Sequence, residues 1–188
     1  MNLFLRLLLV WIKAQLKPAR ATFDEIVTRF QVWPTDQDMF RHMTNSRYFS
    51  LTDVCIIDFM LQTRAWPVLS KRGWIPIVVY EDLVFRKMLR WPQRFLVRTR
   101  LLGWDEANVV LSHAFERADG TTTAEGFTIA RFVSRKGERI ATAHVVEALG
   151  IGDAPPALAP SAAAALARAK EGYGLSPGPA GVPPAASS

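Results

Sequence analysis

Apolar and polar positions change their period several times along this 188-residue chain, and each change marks an element. From Met1 to Leu16 the apolar residues Leu3, Phe4, Leu5, Leu7, Leu8, Val10, Trp11 and Ile12 cover most of a helix. Asn2, Arg6, Lys13 and Lys17 recur at spacings of four, seven and four, which puts them on one face of that helix. Pro18 ends it. Thr22 to Pro34 then alternates, with Phe23, Ile26, Phe30 and Val32 among charged residues and threonines, and predicts a first strand. A polar loop, Thr35 to Thr44, leads into a helix over Asn45 to Thr63. The second half of that helix (Val54, Cys55, Ile56, Ile57, Phe59, Met60, Leu61) is apolar nearly all round and predicts burial on most sides. A short helical or irregular piece covers Pro67 to Arg72.

After Gly73 the period falls to two. Ile75 to Arg86 is rich in β-branched and aromatic residues. Gln93 to Gly103 alternates Phe95, Val97, Thr99 and Leu101 on one face with Arg94, Arg98 and Arg100 on the other. Asn108 to Arg117 and Thr121 to Ser134 are two further strands around an Asp119-Gly120 turn. Gly126 inside the last strand predicts a bulge or a close backbone approach. A short helix over Thr142 to Leu149 closes the domain. From Gly150 onward Pro, Ala, Gly and Ser dominate, which predicts a disordered tail with at most transient helix over Ala162 to Lys170.

The order predicts an α+β fold: a long buried helix wrapped by a curved antiparallel sheet of about five strands. Residues 1–20 form the amphipathic N-terminal helix, 21–149 the folded domain and 150–188 the tail. The unpaired edges of such a sheet favour a homodimer or a dimer of dimers.

Composition sharpens this picture. An apolar content of 49% suffices for one core. Cys55 is the only cysteine, so no intrachain disulfide exists, and a reducing cytoplasmic setting is the simpler reading. The formal charge is +6, and Arg6, Lys13, Lys17 and Arg20 precede the first acid, Asp24. Positive charge gathered in an apolar N-terminus points to a membrane surface contacted through residues 1–17, not to nucleic acid, for which no motif is present. At roughly 15 residues this helix is about 22 Å long, short of the about 30 Å needed to span a bilayer. Three readings stand: an interfacial anchor on the inner face of a membrane, a helix packed on the domain or a partner, and a signal peptide. In the first, removing residues 1–17 releases the protein from lipid and leaves its chemistry intact.

The chemistry-bearing stretch is Asp36-Gln-Asp38-Met-Phe-Arg-His42-Met-Thr-Asn45-Ser-Arg-Tyr48. It brings acids, an imidazole, an amide and a phenol to a helix N-terminus, whose free N–H groups favour negative charge. Asp38, Asn45, His42 and Asp53 are the candidate catalytic groups. Each has a plainer reading. Asp38 can cap a turn, Asn45 can cap the helix, His42 can bond a backbone carbonyl, Tyr48 can pack in the core and Asp53 can pair with an arginine. His42, His113, His144 and Cys55 show no metal-ligand spacing, and there is no phosphate-binding glycine loop, so no cofactor is expected.

The same stretch resembles the acyl-CoA thioesterase-like hotdog family, in its 4-hydroxybenzoyl-CoA thioesterase-like branch. That pattern is D-x-D-x-x-x-H-[MV]-N-N-x-x-Y with an acid five residues after the Tyr, matched here by Asp36, Asp38, His42, Met43, Asn45, Tyr48 and Asp53. Arg47 and the run Arg98 to Asp105 also fit a THEM6-like subgroup. Thr44 departs from the pattern, standing where the family has its first Asn. The resemblance implies a thioester hydrolase acting on an acyl-CoA or acyl carrier protein. It places the base or nucleophile at Asp38 and the oxyanion donors at the start of the following helix. It also implies cations at the site mouth, for which Arg86, Lys87 and Arg90 are candidates, with Tyr48 beside the substrate. A hotdog hydratase would carry a D-x-N-P-x-H loop, which this chain lacks. A non-catalytic, membrane-associated lipid-binding or interaction protein of the same fold is the alternative.

Overall fold

The computed structural model describes residues 3–152 and 155–172. In chain order the elements are α1 (Leu3–Gln15), β1 (Ile26–Gln31), α2 (Asn45–Gln62), α3 (Ala65–Arg72), β2 (Trp74–Phe85), β3 (Arg94–Trp104), β4 (Val109–Arg117), β5 (Thr122–Ser134), β6 (Arg139–Ile140), α4 (Thr142–Leu149) and α5 (Pro160–Gly172). One antiparallel sheet runs β1-β3-β4-β5-β2, with β6 added to β5. It wraps α2, as the α+β reading expects.

The period-two pattern of β3 fixes its face. Phe95, Val97 and Thr99 point inward and are buried. Arg98 faces outward to Glu25 (2.6 Å) and Glu116 (2.8 Å), so this arginine row belongs to the solvated face. Along α2, Leu51, Val54, Cys55 and Leu61 pack with Phe95, Val97, Phe115 and Ala124, while Ile56, Phe59 and Met60 pack with Leu111 and Phe132. Cys55 is fully buried, and burial pushes its thiol pKa up, which makes it an inert core residue. Gly126 marks a close backbone approach: a Cβ there would lie 2.0 Å from the carbonyl oxygen of Asp82.

Three features differ from the sequence expectation. First, the strand predicted over Thr22 to Pro34 is confined to Ile26–Gln31, because Asp24 turns the chain by accepting from the Ala21 amide (3.0 Å) and Pro34 opens a short helical turn.

Second, the N-terminal helix sits on the domain with its faces reversed. Arg6, Val10 and Ala14 are buried, while Leu5, Leu8, Leu9, Trp11 and Ile12 face outward. Asn2 of the predicted polar face lies outside the described residues.

Third, the tail read as disordered contains α5. Ala162, Ala165, Leu166 and Ala169 bury against Val110 and Ile129 on the sheet face opposite α2. Arg168 bonds Asp82 (3.1 Å) and Lys170 bonds Asp105 (2.8 Å). A stripe of alanines contributes little hydrophobicity by composition, yet its small side chains let a helix lie close to a sheet. Residues 173–188 of the predicted tail lie outside the described residues.

Candidate active site at the start of the central helix

Two aspartates of the loop have opposite environments. Asp36 is buried; it accepts from the Trp33 amide (2.9 Å) and pairs with Arg6 and with Arg47 Nε (3.1 Å). Its carbonyl accepts from the Thr44 amide (3.0 Å), which ties the loop to the start of α2. Asp36 therefore fixes the loop.

Asp38 is half-buried and turned to the other side. Its Oδ1 accepts from the Phe40 amide (2.9 Å), and its Oδ2 lies 3.3 Å from His42 Nδ1. The chain returns to His42 through Arg41, held at φ 61° in the left-handed region. Phe40 stacks on the imidazole at 6.0 Å. Asp38 thus caps its own turn and also keeps an oxygen on His42, so the turn-capping role leaves that oxygen free for chemistry.

Thr44, not Asn45, occupies the N-cap, and its side chain caps no amide; its hydroxyl meets Ser46 Oγ at 3.2 Å. Asn45 is the first helical residue and is exposed. The residue at the point of departure, Thr44, thus gives the first-turn amides no side-chain acceptor. Among the first-turn amides, that of Arg47 donates to the Thr44 carbonyl (2.9 Å), those of Asn45 and Ser46 have no acceptor within the helix, and the dipole end is positive there.

In front of this terminus is a cleft of about 620 Å³. His42 and Asn45 stand on its wall, whereas Asp38 lies one contact behind, at His42. Met43, Tyr48, Phe85 and Met88 form its apolar part, and Arg86, Lys87, Arg90 and Arg117 its cationic part. Tyr48 is buried edge-on to Phe85 (5.1 Å), and burial pushes its phenol up to about 12, so it stays neutral. Arg86 is engaged by Glu125. Lys87 and Arg90 are exposed and have no ion-pair partner among the described residues. Arg117, absent from the sequence candidates, reaches the cleft from the end of β4, donates to the Met88 carbonyl and has a buried Nε with no partner. Only the strand pairing brings it here; its neighbours in the chain give no signal.

Asp53 is elsewhere. It is exposed midway along α2, away from the cleft, and has no ion pair among the described residues, so the arginine partner expected for it is not there. Partial desolvation raises its pKa. Its neighbour in charge is Glu81 of β2, which sequence reasoning also missed. Burial raises the Glu81 pKa, and bonds from Thr52 and Thr128 (3.1 Å) counter it. Thr128 also meets His113 Nε2 (3.1 Å), and His113 Nδ1 meets Thr99 (3.1 Å). This line of polar groups crosses the sheet beneath α2. Full burial pushes His113 down to about 3, so it is neutral.

Comparison with known proteins bears on the family and the fold. The model of the thioesterase-like superfamily matches residues 32–166, and the chain belongs to that superfamily. Protein THEM6 of Xenopus laevis is 28% identical over 113 residues, which cover 60% of this chain and 55% of that relative. The chain thus matches little more than half of that protein's length. Among solved structures, the probable thioesterase YbaW of Escherichia coli has a TM-score of 0.62 at 15% identity, covering 66% of this chain and 96% of that one. A hypothetical protein of Thermus thermophilus has a TM-score of 0.58 at 28% identity, covering 68% and 96%. The 1,4-dihydroxy-2-naphthoyl-CoA (DHNA-CoA) thioesterase of Staphylococcus aureus has a TM-score of 0.57 at 14% identity, covering 64% and 82%. The fold is a hotdog.

Proposed function

We propose that this protein hydrolyses the thioester of an acyl-CoA or acyl carrier protein to a free acid and a thiol. The observation that carries the proposal is the Asp38–His42 contact at the wall of a cationic cleft that opens on the N-terminus of α2. The thioester carbonyl lies against the first-turn amides of α2, which polarise it and then hold the oxyanion. Water adds to the carbonyl carbon as Asp38, through His42 or directly, takes its proton. The tetrahedral adduct collapses, the C–S bond breaks, and the thiolate leaves with that proton. Attack by Asp38 itself, giving an acyl anhydride that water then opens, uses the same atoms. Arg86, Lys87, Arg90 and Arg117 meet the phosphates of the carrier, and Asn45 and Tyr48 flank the acyl end. Asp53 is not among the residues that line this cleft and has no part in this scheme.

A homodimer fits this reading. β2 is an outer strand of the sheet, and its exposed Ile75, Ile77, Val78 and Val84 suit pairing with a second copy. The non-catalytic lipid-binding alternative draws on the outward apolar face of α1. A panel of acyl-CoA thioesters separates the two. Turnover is expected on some member, and Asp38→Asn should lower it by about two orders of magnitude or more with the melting temperature kept. No turnover above buffer on the whole panel, or an unaffected Asp38→Asn, would reject the catalytic reading.

A further inference from the structure

The N-terminal helix presents two surfaces that its own domain leaves unsatisfied. Its outer face carries Leu5, Leu8, Leu9, Trp11 and Ile12, between 38% and 52% exposed, in a helix whose other side is seated on α2. Beside it, between α1 and β1, runs a groove of about 480 Å³. Lys13, Lys17, Arg29 and Arg94 line this groove, and none of the four has an ion-pair partner among the described residues. The one carboxylate in its lining, Asp58, is already held by Thr28 (2.6 Å) and Gln62 (2.7 Å).

Arg6 adds a second, independent observation. It lines the same groove and is only 2% exposed. Its Nη2 is used by Asp36 and by the Gln31 carbonyl (3.3 Å). Its Nε and Nη1 are buried with no acceptor. Buried donors left unmade are costly. An oxygen-rich anion entering the groove would supply the acceptors.

We propose that α1 and this groove form a docking face for an anionic lipid bilayer. The apolar ridge enters the boundary between headgroups and acyl chains, and the cations meet lipid phosphates. The geometry is that of a helix lying in the interface: among the described residues no helix is long and apolar enough to cross a membrane. A bilayer is the occupant that matches both halves at once, since a soluble anion leaves the ridge bare and a second copy of this basic helix repels the first. The helix needs no ordering on contact, because Arg6, Val10 and Ala14 already hold it to the domain. This inference stands apart from the thioesterase reading and neither supports nor requires turnover.

The test uses the full chain with sedimented vesicles of phosphatidylcholine alone and of phosphatidylcholine with phosphatidylglycerol. Partition into the anionic vesicles should exceed that into the neutral ones by about tenfold or more and fall with added salt. Leu8→Glu/Ile12→Glu should abolish partition, and Lys13→Glu/Arg29→Glu, at two exposed positions that threaten no packing, should reduce it by about tenfold or more. Equal partition into both vesicle types, no partition at all, or partition that survives Lys13→Glu/Arg29→Glu overturns the proposal. So does binding of inorganic phosphate in the groove without vesicle partition. A doubled mass in light scattering that Leu8→Glu/Ile12→Glu reverses, with no vesicle binding, assigns the ridge to self-association and overturns it equally.

Discussion

Arg6 and Asp36 form a buried ion pair across thirty residues of chain, and the pair joins the N-terminal helix to the loop that carries Asp38. Removing one partner strands the other charge away from water, a loss worth about 3–5 kcal/mol in buried pairs. Arg47 and the Trp33 amide still serve Asp36, so Arg6→Met should fall at the lower end of that range and Asp36→Asn, which also strands two arginines, at the upper. Urea denaturation measures both. The same pair changes what truncation should do. A detachable anchor predicts that a chain lacking residues 1–17 keeps its turnover. With Arg6, Val10 and Ala14 buried, the truncated chain should melt earlier and lose activity along with any lipid binding.

The exposed cations of the cleft should act on the carrier, not on the bond broken. Lys87→Ala and Arg90→Ala should each raise KM for an acyl-CoA by roughly two- to fivefold, as expected for exposed charge contacts. Neither should affect a thioester of N-acetylcysteamine, which has no phosphate. An equal effect on both substrates would place these residues outside carrier binding.

His113 gives an acid-side stability signature. Its pKa is about 3 folded against an ordinary value of 6.5, so the neutral form is the one the fold holds. A depressed folded pKa contributes stability that is complete above the unfolded value and is lost as pH falls from about 6.5 toward 3. The slope from this one group approaches about 1.4 kcal/mol per pH unit inside that window. Glu81, raised by burial, has the opposite sign: its contribution is present at low pH and is lost as pH rises through its folded pKa. Comparing wild type with His113→Gln at pH 7 and pH 4 isolates the histidine, and the variant should show the shallower decline.

Gly126 should tolerate no side chain. The Cβ of Gly126→Ala would meet the backbone of Asp82 and Leu83, which cannot swing aside as a side-chain tip can. A loss of roughly 1–3 kcal/mol or more is expected, concentrated at the β2–β5 pairing and measurable as faster amide exchange along those two strands.

The central features of the fold were legible because their periods are strong. The switch from the all-apolar half of α2 to period two after Gly73, and the Asp119-Gly120 turn, need no tertiary information. The loop was legible as a motif, and the burial of Asp36 beside the half-open Asp38 agrees with separate roles. Three things could not be read. Arg6 reads in sequence as one of the row of cations on a single helix face, because its partner lies thirty residues away. Arg117 reaches the cleft only through strand pairing. The alanines of α5 register as tail composition until a sheet face is present for them to cover. Asp53 is the converse case: the motif places an acid there, and in this chain it stands outside the lining of the cleft.

That covering by α5 restricts how copies of this molecule can assemble. Val110 and Ile129 face away from α2, and in a bare sheet they would invite a second sheet to stack on them. Here the layer is already taken, clipped at Asp82 and Asp105 by Arg168 and Lys170. Back-to-back stacking would first have to peel the helix away. A copy that paired instead at the rim of the sheet, along β2 or β1, would leave this layer in place.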